Sequence, residues 1–244
     1  MNISSRFKGI IGVAGANALA ALIFVAAMPC LSRLYQPDAF GVFGIIMPFI
    51  VIFGAILPFG TDKLALTEKS VDLLLPIIFR GIVFSVLGAC VILIILLMLH
   101  NAFPNMALLS ELNIILVFFG LLTMSVLNLF LNWHIKVGSE KLIASSRVIQ
   151  ATATISFQYI FSDYGNGLVL GYVLGTFGGA SVLLISKSLW QSVLLLERKS
   201  YFSQFGSKTG YSNNFFGFRY SSIVLLNNAN NLILPFFIMF LGSV

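Results

Sequence analysis

The chain has 244 residues, of which 59% are apolar and only 9% are charged, and its formal net charge is +6. Soluble domains carry roughly a quarter of their residues as charges, so this composition excludes an ordinary soluble domain. The apolar runs are continuous over about 20 residues, whereas strands of a membrane β-barrel have about ten residues of alternating polarity. We therefore predict an all-α fold, a polytopic transmembrane helix bundle.

Seven hydrophobic segments are each long enough to cross a bilayer. The first is expected to be an uncleaved helix, because its apolar run is too long for a signal peptide and Pro29 fits a lipoprotein cleavage site poorly. In chain order the segments are Gly9 to Leu31, Phe40 to Gly60, Leu74 to Leu99, Asn113 to Trp133, Leu142 to Ser162, Gly167 to Leu189 and Ser221 to Val244.

The basic residues predict the orientation of these segments, because cytoplasmic loops retain lysine and arginine. All 14 except Arg33 fall on one side of an alternating path whose amino terminus is cytoplasmic. Attraction to an anionic lipid leaflet explains this charge without nucleic acid. The residues on the predicted cytoplasmic side are Arg6, Lys8, Lys63, Lys69, Arg80, Lys136, Lys141, Arg147, Lys187, Arg198, Lys199, Lys208 and Arg219.

Polar residues at membrane depth are the first candidates for a substrate path, since lipid does not tolerate them. In the fifth segment Arg147, Gln150, Thr154 and Gln158 are spaced three, four and four, which places them on one helix face. This polar stripe predicts either helix packing or a hydrated path. In the sixth segment, glycines recur every four residues at Gly167, Gly171, Gly175 and Gly179, which predicts close helix packing or a sliding surface.

Four further positions also leave two interpretations open. Asn17 lies among alanines and glycines of the first segment and suits close packing or a cavity. Asn227 and Asn231 share a face of the seventh segment with Asn230, and these amides either bind helices together or line a cavity. Arg80 either extends to the membrane surface or points into a cytoplasm-open cavity, where phosphate is its natural ligand.

The sequence shows no apparatus for catalysis, a metal or a cofactor. No HExxH motif or P-loop is present, His100 and His134 fall on opposite predicted faces, and Cys30 and Cys90 have neither metal-site nor CxxC spacing. We predict a protein that is not an enzyme.

One stretch resembles a known family. Residues 31–43, LSRLYQPDAFGVF, are similar to the connection between the first two helices of polysaccharide biosynthesis membrane proteins, the O-antigen or lipid-linked oligosaccharide flippases. Residues 140–150, EKLIASSRVIQ, look like the start of that family's fifth helix, and the glycine-rich sixth segment and the linker before Asn227 are similar in order and spacing.

This resemblance implies a flippase of the multidrug, oligosaccharidyl-lipid and polysaccharide exporter superfamily in a bacterial inner membrane. Such a protein moves an undecaprenyl-pyrophosphate-linked sugar unit from the cytoplasmic to the periplasmic leaflet, with a proton or sodium gradient as the energy source and other polysaccharide assembly proteins as partners. Cationic residues would carry the pyrophosphate while the polyprenyl tail stays in lipid. Arg33 then joins Asn17, Arg80, the polar stripe, Asn227 and Asn231 as a substrate-path candidate.

The chain departs from the family in two ways. Thr61-Asp62-Lys63 stands where the family commonly has an Arg-Tyr-Glu-like cluster, and the chain ends at Val244, whereas family members have two six-helix lobes. We therefore expect a six-helix lobe over residues 1–190, a cytoplasmic linker over 191–220 and the first helix of a truncated second lobe over 221–244. Two alternatives are a small-molecule exporter of the same architecture and an inactive remnant.

Overall fold

The computed structural model describes residues 3–67, 74–102 and 114–186, with side chains from residue 11 onward. The predicted linker 191–220 and the seventh hydrophobic segment, with Asn227 and Asn231, lie outside the described residues. Within them, seven helices occur and no strand: α1 Ile3–Leu34, α2 Pro37–Ile56, α3 Thr61–Thr67, α4 Leu74–Ala102, α5 Ile114–Val137, α6 Glu140–Ile160 and α7 Gly167–Leu184. The prediction of an all-α fold is confirmed for this part of the chain.

Five of these helices are long and apolar enough to cross a membrane, judged by length and composition: α1, α2, α4, α5 and α7. The protein therefore has the helices of a multi-pass membrane protein. Helix α6 forms where the fifth crossing segment is predicted, but it is not among these five. Its charged first turns and its polar stripe lower its hydropathy.

Helix α3 is an element that the sequence analysis did not predict. After α2 the chain turns through Phe59 and Gly60, whose φ angles of 54° and 72° lie in the left-handed region. A bulky residue such as Phe59 rarely adopts this conformation, so the turn holds local strain. The chain then forms the short helix Thr61–Thr67, which packs on α4 and α5.

Successive long helices run in opposite directions. Helices α2, α5 and α7 are parallel to one another, α4 is antiparallel to α5, and α6 is antiparallel to α7 and parallel to α1. The contacts that establish these directions pair Ile50 with Gly120, Gly54 with Met124, Gly120 with Val173, His134 with Leu183, Leu129 with Gly81, Thr154 with Gly175, Gln158 with Gly171, and Tyr35 with Gln158.

The helix directions give the bundle two ends. The Tyr35 end contains the connection between α1 and α2 (34–37) and the connection between α6 and α7 (160–167). The Asp62 end contains α3, the start of α4, the end of α5 and the start of α6. Among residues with described side chains, Arg33 alone of the lysines and arginines lies at the Tyr35 end; the others, toward the Asp62 end, are Lys63, Arg80, Lys136, Lys141 and Arg147.

Apolar packing forms two main clusters along the bundle. The cluster nearer the Asp62 end surrounds Trp133 and joins α3, α4, α5, α6 and α7. The other surrounds Ile50 and Leu121 and joins α2, α4, α5 and α7. Helix α5 contributes to both, and it is therefore the central helix of the described bundle.

Candidate functional site

The polar stripe of α6 faces the glycine ridge of α7. A β-carbon built on Gly171 would overlap Gln158, one built on Gly175 would overlap Thr154, and one built on Gly179 would lie 2.9 Å from the β-carbon of Gln150. Because both rows repeat every four residues, they stay in register along two antiparallel helices. The sequence analysis identified each row separately, and the structure brings them together.

Hydrogen bonds connect the stripe to α7. Ser146 Oγ donates to the carbonyl oxygen of Gly179 at 2.8 Å, and Gln158 Nε2 donates to the carbonyl oxygen of Leu168 at 3.0 Å. Thr154 is fully buried, and its Oγ1 has no hydrogen-bond partner within the described residues. Thr154 and Gln158 are thus buried in the contact between α6 and α7.

Arg147 differs from the rest of the stripe because it is a half-buried cation. Its Nη1 donates to Gln150 Oε1 at 3.1 Å, and Gln150 Nε2 in turn reaches Thr176 Oγ1 at 3.5 Å. No carboxylate among the described residues forms an ion pair with the guanidinium. Arg147, Gln150 and Thr176, here called the Arg147 cluster, therefore form a positively charged polar region inside the bundle.

The other predicted path residues with described side chains do not belong to this cluster. Asn17 is exposed on α1, and Arg33 is exposed in the last turn of that helix, at the Tyr35 end. Arg80 is half-buried near the start of α4, where its guanidinium carbon lies 5.1 Å from the centroid of the Phe84 ring. The proposed path residues thus divide into one interior group on α6 and three separate positions.

The structure also shows a buried carboxyl group at the Asp62 end, which the sequence analysis noted only as a departure from a family pattern. Asp62 is 3% exposed, and its Oδ2 accepts a hydrogen bond from Asn132 Nδ2 at 3.0 Å and lies 3.6 Å from Lys63 Nζ. Its Oδ1 has no partner within the described residues. Burial raises the pKa of this carboxyl, and the adjacent Lys63 opposes the shift only in part.

A cavity of about 610 Å³ lies at the Tyr35 end, between the two connections that meet there. Part of the stretch 31–43, which resembles the flippase family, forms one wall, with lining residues between Leu34 and Val42. The opposite wall runs from Ser162 to Asn166. Burial raises the pKa of Tyr35 in this wall, and the negative charge of Asp163 adds to the effect. This volume is typical of small-molecule sites.

Metal binding has no support in the described residues, where no group of three or more His, Cys, Asp or Glu side chains could hold an ion. Comparison of the chain with family models, with curated proteins and with solved structures finds no match.

Proposed function

We propose that this protein is a membrane flippase that moves a polyprenyl-pyrophosphate-linked oligosaccharide from the cytoplasmic to the periplasmic leaflet of a bacterial inner membrane. The observation that carries the proposal is Arg147, a half-buried cation without a carboxylate partner in the described part of the chain. Removing a charge from water is costly unless another group compensates it, and ionisable residues inside membrane proteins commonly serve function.

The chemistry of the Arg147 cluster favours an anionic ligand. A guanidinium presents a planar set of donors that matches phosphate oxygens, and the amide of Gln150 and the hydroxyl of Thr176 offer additional donors. A pyrophosphate headgroup cannot enter hydrocarbon unaided, while its polyprenyl tail can remain in lipid. The proposed orientation, with the Asp62 end in the cytoplasm, is supported by the positions of the basic residues. All of those with described side chains except Arg33 lie toward the Asp62 end, and lysine and arginine favour the cytoplasmic side.

Transport in liposomes tests this proposal. The purified full chain, reconstituted with a labelled polyprenyl-pyrophosphate sugar, should expose the label on the opposite leaflet faster than empty liposomes do. Arg147→Gln should reduce the rate at least tenfold, and Arg147→Lys less, because the charge remains but the planar donor set does not. Lys141→Gln is the matched control, since Lys141 is exposed on the same helix.

Two outcomes would contradict the proposal at different levels. Folded wild-type protein that leaves the label on its original leaflet would remove the flippase function. Normal transport by Arg147→Gln would leave the flippase function standing and would show that the Arg147 cluster does not bind the headgroup.

A small-molecule exporter is the second candidate, and one observation favours it. Asp38 and Asp163 line the cavity at the Tyr35 end, where carboxylates would attract a cationic solute. Under this alternative, overexpression should raise tolerance to cationic drugs, and Asp38→Asn with Asp163→Asn should abolish the gain. Unchanged tolerance at verified expression would count against it.

A further inference from the structure

The cavity at the Tyr35 end has a fixed framework. The Tyr35 hydroxyl donates to the carbonyl oxygen of Gln158 at 2.5 Å, and the Tyr35 ring makes an edge contact with Phe40, with 6.3 Å between the ring centroids. Gly167 lies so close to Tyr35 that an added β-carbon would overlap the hydroxyl. These contacts join the two connections that form the walls, so a ligand would enter a site that is already formed.

Tyr164 presents an aromatic ring in this cavity. Its ring makes an edge contact with Phe161, with 5.8 Å between the centroids, and this contact restricts its orientation. The backbone is also held, because the Tyr164 N–H donates to the carbonyl oxygen of Phe161 at 3.1 Å and the Gly167 N–H donates to that of Tyr164 at 2.9 Å. The residue is nevertheless 64% exposed. An oriented ring with open surface is a platform on which the apolar C–H face of a sugar ring can stack.

The polar groups that line the cavity are carboxylates, amides and hydroxyls. Asp38 and Asp163 stand on opposite walls, and Gln36 and Asn166 add amides that both donate and accept. No lysine or arginine is found among the described residues of the lining, which does not include Arg33. A phosphate would meet two negative charges without a positive one. Sugar hydroxyls, in contrast, donate to carboxylates and exchange hydrogen bonds with amides.

A cationic solute is the other class of ligand that the two carboxylates would attract. Both Asp38 and Asp163 are exposed, and water screens charges there, so they attract a cation only weakly. The cavity, at about 610 Å³, is also much larger than a single ion needs and has the size of a small-molecule site. A ligand with several hydroxyl groups and an apolar ring face uses the carboxylates, the amides and Tyr164 together.

We propose that this cavity is a binding site for a neutral sugar unit, with Tyr164 stacked on the sugar ring and Asp38 and Asp163 accepting hydrogen bonds from its hydroxyls. Binding of a free sugar does not depend on transport. The role of the site in transport rests on the proposed function. Because the Tyr35 end is the proposed periplasmic side, the cavity would hold the oligosaccharide after it has crossed, apart from the Arg147 cluster.

Free sugars test the site without any transport assay. The purified full chain, in a detergent without a sugar headgroup, is mixed with galactose, rhamnose or N-acetylglucosamine at millimolar concentration. Saturation-transfer difference NMR should show transfer from the protein to the ring protons of at least one of them. Tyr164→Ala and Asp163→Asn, shown to be folded by elution and thermal unfolding, should reduce this transfer at least fivefold. Tyr159→Ala is the matched control, because Tyr159 is 63% exposed and does not line the cavity.

Three results would overturn the sugar site. They are no transfer to any of the three sugars, an equal loss in Tyr159→Ala, and transfer to tetraethylammonium alone that Asp163→Asn removes. The last result would assign the cavity to a cationic solute.

The role in transport is tested in proteoliposomes with the labelled polyprenyl-pyrophosphate sugar. Tyr164→Ala should lower the transport rate several-fold, and Tyr159→Ala should leave it unchanged. A normal rate in a Tyr164→Ala protein that no longer binds free sugar would overturn the role in transport and leave the flippase proposal intact. Sugar binding by wild-type protein that does not transport would support the site and defeat the flippase proposal.

Discussion

Gly175 of α7 lies directly against Thr154 of α6, so closely that no β-carbon fits between them. The same relationship repeats one turn away at Gly171 with Gln158, and the antiparallel pair α6–α7 is the most extensively packed pair in the described bundle. Close approach at glycine allows van der Waals contact and hydrogen bonding across two backbones. This contact explains why α6, polar as it is, can lie among apolar helices.

We predict that Gly175→Ala destabilises the protein by about 1 to 3 kcal/mol, the usual range for overpacking a tight interior. The new β-carbon would overlap backbone and side-chain atoms of Thr154, and backbone cannot shift as a flexible side chain can. Thermal unfolding in detergent measures the effect. Gly178→Ala is the control on the same helix, because its β-carbon would lie 3.5 Å from that of Ala153, an ordinary contact distance. Equal unfolding temperatures for the two variants would argue against this packing.

A second prediction concerns Tyr35, whose hydroxyl donates to the carbonyl oxygen of Gln158 at 2.5 Å. This carbonyl belongs to the last turn of α6, where carbonyl groups lack partners within the helix. Tyr35→Phe should therefore cost about 1 kcal/mol of stability, the typical contribution of one buried hydrogen bond. Tyr164→Phe, at an exposed position of the same cavity, should leave the unfolding temperature unchanged. A loss of equal size in both variants would show that the effect is not due to the bond.

The sequence was sufficient to predict much of the described fold because lipid limits the possible structures. Long apolar runs must form helices with internal hydrogen bonds, and five of the seven predicted segments form helices that are long and apolar enough to cross a membrane. Periodicity likewise placed Gln150, Thr154 and Gln158 on one face of α6. What periodicity cannot supply is the partner of a face, and for this reason the contact of the stripe with the glycine ridge needed three-dimensional information.

The Asp62 region shows the other limit of sequence analysis. Thr61-Asp62-Lys63 reads as a polar loop between two apolar runs, and nothing local distinguishes a solvated aspartate from a buried one. Burial arises because α3 packs on α4 and α5, which brings Asn132 from 70 positions away along the chain to its carboxylate. The amide of Asn132 within an apolar helix was the only available signal, since a polar group there needs a partner.

The pH dependence of stability tests the state of Asp62. Because burial raises the pKa of this carboxyl, the folded protein binds the proton more tightly than the unfolded chain does. Stability should therefore fall as pH rises from the ordinary aspartate value of about 3.9 to the raised value, and should stay at the lower level above it. Asp62→Asn should remove this fall. The measurement is the unfolding temperature across pH for both proteins, and parallel curves would contradict the prediction.

Arg147 provides a prediction that separates a binding role from a structural one. If the guanidinium is kept for an anionic ligand, Arg147→Met should raise the unfolding temperature, because replacing an uncompensated interior charge with an apolar side chain is favourable. Added inorganic pyrophosphate should stabilise wild-type protein and have no effect on this variant. A lower unfolding temperature in Arg147→Met would indicate that the hydrogen bond to Gln150 is the main role of Arg147.

The last prediction concerns the membrane path of α6, the long helix that length and composition leave outside the five candidates. Helix directions place Val137, at the end of α5, and Gly165, before α7, at opposite ends of the bundle. Both positions are exposed, and Gly165 has no atom within 4 Å of an added β-carbon.

Single cysteines at these positions, in a chain with Cys30 and Cys90 replaced by serine, should differ in reaction with a membrane-impermeant maleimide. If the protein lies in a bacterial inner membrane with the Asp62 end cytoplasmic, as we propose from its basic residues, Gly165→Cys should react in cells whose outer membrane is opened, and Val137→Cys only after detergent. Reaction of both in intact cells would mean that α6 does not cross the bilayer, and the reverse pattern would invert the proposed orientation.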